Sequence, residues 1–156
     1  MAYNSAASAL FLAALLLFTA ASPSAQVAAA GLNGLTVSGR LCCATNGNCP
    51  GQGVAGAAVL LNCTLLGQIA TVGIAITDAN GAYNITIPAL PGLILGLPIV
   101  PCVVGVRLPL GAVVCPVLST TTGVLAGTLH VVGTVVNAVL GLVQSATVDL
   151  FVLVGV

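Results

Sequence analysis

The sequence predicts an all-β domain in which about seven strands pack as two sheets. Three observations carry this reading. From Leu35 onward the chain consists largely of Val, Ile, Leu, Thr and Gly, which suits strands and tight turns better than helices. Gly, Pro and Asn interrupt the apolar runs every eight to twelve residues or so, the rhythm of short strands. Beyond the N-terminal segment no stretch keeps a helical period long enough to hold a helix.

The strands are expected in order at Thr36–Ala44, Ala57–Cys63, Gln68–Thr77, Ala82–Ile87, Ile99–Leu108, Gly123–Val136 and Ser145–Val154, the sixth bent or split near Gly133. The clearest local signal is the run Thr77-Asp78-Ala79-Asn80-Gly81-Ala82-Tyr83. Its Asn80-Gly81 pair can take positive φ, so a hairpin is expected between the third and fourth strands. Asp78 and Asn80 are turn chemistry here, because calcium would need more oxygen ligands than one carboxylate and one amide. Pro88, Pro91, Pro98, Pro101, Pro109 and Pro116 mark loops, strand edges and bulges, and they argue against a membrane helix between Leu90 and Leu118. In the last strand, Thr147, Asp149, Phe151 and Leu153 alternate with Val148, Leu150, Val152 and Val154, the pattern of a strand buried on both faces.

Before the first strand, Leu10–Phe18 is an apolar core followed by the small-residue stretch Thr19–Ala30. This is the layout of a secretory signal helix, and the uninterrupted apolar run is shorter than the ~20 residues a bilayer span needs. Residues 1–25 are therefore read as a signal peptide, with cleavage between Ser22 and Ala30, and residues 31–156 as a single secreted β-sandwich domain. No stable transmembrane segment is expected after cleavage.

Composition excludes several functions. Among 156 residues the charged side chains are Arg40, Arg107, Asp78 and Asp149, and 59% of the chain is hydrophobic. Nucleic-acid binding needs a basic footprint that two arginines cannot make. Paired-carboxylate catalysis would have to join Asp78 to Asp149, which lie in unrelated contexts. His130, the one histidine, sits in a strand-like run with no nucleophile motif around it. No catalytic residue, no cofactor and no metal site is expected.

All six cysteines lie beyond the leader, at Cys42, Cys43, Cys49, Cys63, Cys102 and Cys115. An even number in a chain with a secretion signal reads as a set of disulfides, and a zinc site finds no C-x-x-C pair to start from. Six cysteines allow 15 pairings. Adjacent Cys42 and Cys43 would face opposite ways on a strand and so should have different partners. Two N-x-[ST] sequons, at Asn62 and Asn84, are candidate N-glycosylation sites. Around Asn84 the alternation puts Tyr83, Ile85 and Ile87 on one face and Asn84 and Thr86 on the other, which turns the acceptor to solvent.

The run Val37 to Asn48 with its Cys42-Cys43 doublet, the run Gly56 to Cys63, the turn Thr77 to Tyr83, and then Cys102 and Cys115 together resemble the plant phylloplanin-type proteins of the pollen Ole e 1/extensin superfamily. The resemblance covers most of the chain beyond the leader and implies a transthyretin/Ole e 1-like sandwich. It also implies the pairs Cys43–Cys115 and Cys63–Cys102, leaving Cys42 and Cys49 as a third. The Cys42–Cys49 pair and the Val- and Leu-rich C-terminal third depart from the family pattern.

What the resemblance implies about function is a secreted, hydrophobic protein of the leaf surface or cell wall, not an enzyme, that inhibits germination of fungal or oomycete spores. Its partners would be a microbial surface, the plant cuticle or cell-wall polymers. So few charges leave extended apolar area exposed, which favours adsorption and self-association. The alternative is a cell-wall module binding arabinogalactan or extensin glycans, for which the chain beyond the leader offers two aromatics, Tyr83 and Phe151. A lipid carrier ranks behind both, since helical lipid-transfer proteins use eight cysteines with a C-x-C element.

Overall fold

Seven strands and one short 3-10 turn make up the secondary structure of the computed structural model, which describes residues 31–97 and 100–155. The expected signal helix and its cleavage region lie outside the described residues. The strands are β1 (Gly34–Arg40), β2 (Ala58–Leu65), β3 (Gln68–Ile76), β4 (Ala82–Pro88), β5 (Cys102–Leu108), β6 (Gly123–Asn137) and β7 (Gly141–Val154), with the 3-10 turn at Pro116–Leu118.

All seven belong to one hydrogen-bonded sheet in the order β3-β2-β5-β6-β7-β1-β4. Every neighbouring pair is antiparallel except β1 with β7, which run parallel. The edge strands β3 and β4 come back together: a methyl group on Gly73 would lie 2.6 Å from Cγ2 of Ile85. The sheet is thus nearly closed. Hydrogen bonding runs continuously through all the strands because β6 and β7, 15 and 14 residues long, bend together. Their pairing shifts register at Gly127/Leu129 and at Val131/Gly133, and such bulges bend a strand and raise its twist. The bend expected near Gly133 is the second of these.

Period-2 alternation sets the interior. Val59, Leu61 and Cys63 of β2, Tyr83, Ile85 and Ile87 of β4, and Val104 and Val106 of β5 all point inward and are buried with Leu35, Val37, Leu125 and Phe151. The segment after β4 packs on the core through Leu90, Leu93 and Leu95. The buried Gln144 holds that segment, donating from Nε2 to the Leu97 carbonyl at 2.9 Å and accepting the Gly96 N–H at 3.4 Å. The disulfides are Cys42–Cys49, Cys43–Cys115 and Cys63–Cys102. The last ties directly opposed residues of β2 and β5.

Three expectations from sequence are corrected. Thr77–Tyr83 is not a hairpin turn: β3 pairs with β2, β4 pairs with β1, and the turn carries the chain from one edge of the sheet to the other. Asp78 Oδ1 accepts the N–H groups of Asn80 and Ala82, and the Gly81 carbonyl accepts the Leu41 N–H, so the corner docks on the end of β1. The end of β7 is not buried on both faces. Phe151 points inward, but Leu150 and Val152 are 71% and 63% exposed, since no second layer lies over the outer face of the sheet there. Finally, β1 stops at Arg40 rather than reaching Ala44, because the Cys42–Cys49 bridge folds the chain into a loop in which the Cys42 N–H reaches the Gly47 carbonyl.

Candidate functional site

The outer face of the sheet is divided. Across five strands the opposed outward residues are Ile74, Leu60, Gly105, Ala126 and Val152, and the next row holds Ile76 and Ala58 on one side and Val124 and Val154 on the other. Gly105 and Ala126 make the centre of this apolar area shallow, while Ile74 and Val152 stand 62% and 63% exposed at its flanks. Arg107, opposite Val124, is the charge at its border. The other half of the exterior is polar. There Asn84, Ser38, Thr147 and His130 form one row, and Thr86, Thr36 and Ser145 form the next. Thr36 and Thr86 are hydroxyl to hydroxyl at 2.9 Å, and the Thr86 hydroxyl donates to Asn84 Oδ1 at 3.1 Å.

Where these halves meet, β1 and β7 part. Their parallel pairing ends at Ser38 and Thr147, after which β1 continues against β4 and β7 against β6. The fork leaves a cleft of about 620 Å³ lined by Arg40, Asn48, Cys49, Tyr83, Val148, Asp149, Leu150 and Phe151. Each wall has a local cause. Asn48, carried on the Cys42–Cys49 loop, takes the place of the missing strand: its Nδ2 donates to the Phe151 carbonyl at 3.0 Å and its Oδ1 accepts the Phe151 N–H at 2.6 Å. Arg40 is fixed by donating from Nε to the Asn80 carbonyl at 2.7 Å and from Nη2 to the Gly51 carbonyl at 3.3 Å. Asp149 receives the Thr128 hydroxyl at 3.4 Å on Oδ2.

Tyr83 closes the floor. Its ring crosses β1 at Gly39, where a Cβ would sit 2.2 Å from the hydroxyl, so glycine is required at that position. The side chain is 5% exposed, and among the described residues its hydroxyl is the one buried side-chain polar atom with no hydrogen-bond partner. Burial pushes the phenol well above its ordinary range, so it stays a neutral O–H even in alkaline solution where an exposed tyrosine would ionise.

No protein-family model matches the chain, and no curated protein or solved structure matches it either. The residues themselves therefore carry the functional argument.

The residues singled out from sequence fall in separate places. Asn84 is exposed on the polar half, as the alternation around it requires. Asn62 also faces outward, but in mid-sheet between Thr71 and Val103, with its Oδ1 bonded by the Thr71 hydroxyl. It borders a smaller depression of about 270 Å³ with Thr64, Ile69 and Val103. Cys43–Cys115 and Cys63–Cys102 are bridged, as is the remaining pair Cys42–Cys49, which departs from the pattern of the resembled family, and Cys49 alone of the six cysteines lines the cleft. His130 is exposed opposite Thr147. Among the described residues no group of three His, Cys, Asp or Glu side chains could hold a metal ion, and no helix is long and apolar enough to cross a membrane. Sequence reasoning missed the cleft constellation of Arg40, Asn48, Tyr83 and Asp149. The one trace of it was Gly39, a glycine inside a strand, which often marks a close approach by another group.

Proposed function

We propose that the protein is a secreted, non-enzymatic surface protein of the phylloplanin type, with an Ole e 1-like sandwich as its fold and inhibition of fungal or oomycete germination as its role. The observation that carries this is the apolar half of the exterior, centred on Leu60, Gly105 and Ala126 and flanked by Ile74 and Val152. An exposed apolar area of this kind is a surface for adsorption to cuticle or to a microbial envelope. Three disulfides hold it in shape away from the reducing cytosol, which is compatible with an extracellular setting. The polar half, with Asn84 as a glycan acceptor, would stay toward water.

The test is germination of spores with the oxidised protein beside a reduced and alkylated sample. Inhibition by the first and not the second supports a folded defence protein. No inhibition by either at surface-coating concentrations overturns the reading.

A second reading, a cell-wall module that binds glycans, is favoured by one specific observation. Tyr83 and Phe151, the aromatics of the chain beyond the leader, both line the β1–β7 cleft.

A further inference from the structure

We propose that the Cys42–Cys49 bridge is a redox latch: a dithiol reductant opens it ahead of the other two bridges, and the strap it closes, residues 44–48, then lifts from the end of the core and from the edge of β7. The proposal is independent of the defence and glycan readings.

Exposure separates this bridge from the others. Cys49 is exposed and lines the β1–β7 cleft, whereas Cys63–Cys102 is buried at both ends and Cys43–Cys115 is fully buried at Cys115 and half-buried at Cys43. Exchange begins with attack of a thiolate on a sulfur it can reach, so exposed bridges are the labile ones. Charge points the same way. Arg40 donates from Nη1 to Cys49 Sγ at 3.6 Å, while the Asn80 and Gly51 carbonyls keep its guanidinium in place. A cation fixed there attracts an incoming thiolate and stabilises the anion that Cys49 becomes when the bond breaks. The bridge also closes the shortest loop, with a separation of 7 residues against 39 and 72, so the fold loses least when it opens.

The reaction is a two-step exchange. The first thiolate of the dithiol attacks Cys49 Sγ, the Cys42–Cys49 bond breaks, and Cys42 leaves and takes up a proton. The second thiolate attacks the reductant's own sulfur in the mixed disulfide, and Cys49 leaves beside Arg40. The protein gains two electrons and two protons, and the dithiol becomes a disulfide.

The strap covers apolar side chains. Gly47 is buried on the end of the core, where a Cβ would lie 2.6 Å from Leu125 Cδ1 and 3.0 Å from Leu41 Cδ1, and Asn48 is bonded to both backbone groups of Phe151. Leu41 and Leu125 are fully buried and Phe151 is 4% exposed. The base of the strap is pinned separately: Cys43 is bridged to Cys115, its N–H donates to the Gln52 carbonyl at 2.7 Å, and the Val54 N–H donates to the Leu41 carbonyl at 2.9 Å. Opening the latch therefore frees the strap and leaves its anchor points and the sheet in place.

The experiment uses the oxidised protein without denaturant, dithiothreitol as the dithiol, and timed alkylation read by peptide mass. Cys42 and Cys49 are expected to be labelled at least about tenfold faster than the other four cysteines. Arg40→Gln should open more slowly than Arg40→Lys, which also loses the guanidinium fork but keeps the charge. In the protein reduced at this one bridge, the amide signals of Gly47 and Phe151 should shift, those of Val59 and Val106 should stay, and reoxidation should restore the first two. The double variant Cys42→Ser, Cys49→Ser should show the same shifts without reductant. Loss of the three bridges together, or of either other bridge first, overturns the proposal. So does opening of Cys42–Cys49 with the Gly47 and Phe151 amides unmoved. Equal rates for the two Arg40 variants overturn the part given to Arg40.

Discussion

The amide of Asn48 pairs with both the N–H and the carbonyl of Phe151, so one side chain does for β7 what a neighbouring strand does elsewhere. Phe151 is buried, and removing the amide leaves two of its backbone groups without partners. Asn48→Ala should therefore cost about 1–3 kcal/mol in denaturant unfolding. Asn48→Asp, which can accept from the N–H but cannot donate to the carbonyl, should fall between alanine and the wild type.

Gly39→Ala is expected to be worse than an ordinary strand substitution, because its methyl group would have to occupy the place of the Tyr83 hydroxyl. Combining it with Tyr83→Phe should recover part of the loss. Thermal unfolding of the two single variants and the double variant measures that coupling, and additive effects would show that the two residues do not compete for the same space.

Alkaline stability should depend on Tyr83. Below about pH 10 the phenol is protonated in the folded and unfolded chains alike and contributes no slope. Above that, the unfolded chain releases the proton while burial makes the folded chain keep it. The folded state then binds more protons, and stability falls as pH rises, by at most about 1.4 kcal/mol per pH unit. The chain has no lysine, its two basic residues being Arg40 and Arg107, so little else beyond the leader titrates in this window. Tyr83→Phe should flatten the decline between pH 10 and 12, as read from unfolding curves across that range.

The three bridges should differ in worth. Their sequence separations are 7, 39 and 72 residues for Cys42–Cys49, Cys63–Cys102 and Cys43–Cys115. Chain entropy then predicts losses of about 2.4, 3.9 and 4.4 kcal/mol when each pair is replaced by serines. Equilibrium unfolding of the three double variants tests the order. The Cys42–Cys49 variant should also loosen Asn48 and broaden the amide signal of Phe151.

Ile74→Thr and Val152→Thr change exposed residues of the apolar half and should leave stability within about 0.5 kcal/mol. Both should lower retention on an alkyl-coated surface. Thr86→Val, on the polar half, should not lower it.

The individual strands were legible because alternation is local. Tyr83, Ile85 and Ile87 announce an inward face within one short run, and β6 shows its bend at Gly133. Partner choice was not legible in the same way. Asp78-Ala79-Asn80-Gly81 has hairpin chemistry, yet β3 and β4 each found a better neighbour, and the tight hairpin formed instead at Leu66-Gly67, where both residues have positive φ. Leu66 gives no sign of this, being neither Gly nor Asn. The cleft was hidden for the same reason. Arg40, Tyr83 and Asp149 come together because the first strand lies beside the last, a pairing that no short window of sequence contains.

That same pairing sets the timing of assembly. During synthesis β1 emerges first and can bond to β4 as soon as Pro88 is made, but its other side has no partner until Gln144 to Thr147 follow. The sheet cannot be completed from the N-terminus outward, and contacts of such long span make folding slow. Until then the inward faces of β1 and β4, with Leu35, Val37, Ile85 and Ile87, are open to any other apolar chain nearby. A nascent molecule of this protein is therefore expected to gain from a holding chaperone from the time β1 emerges until β7 is made.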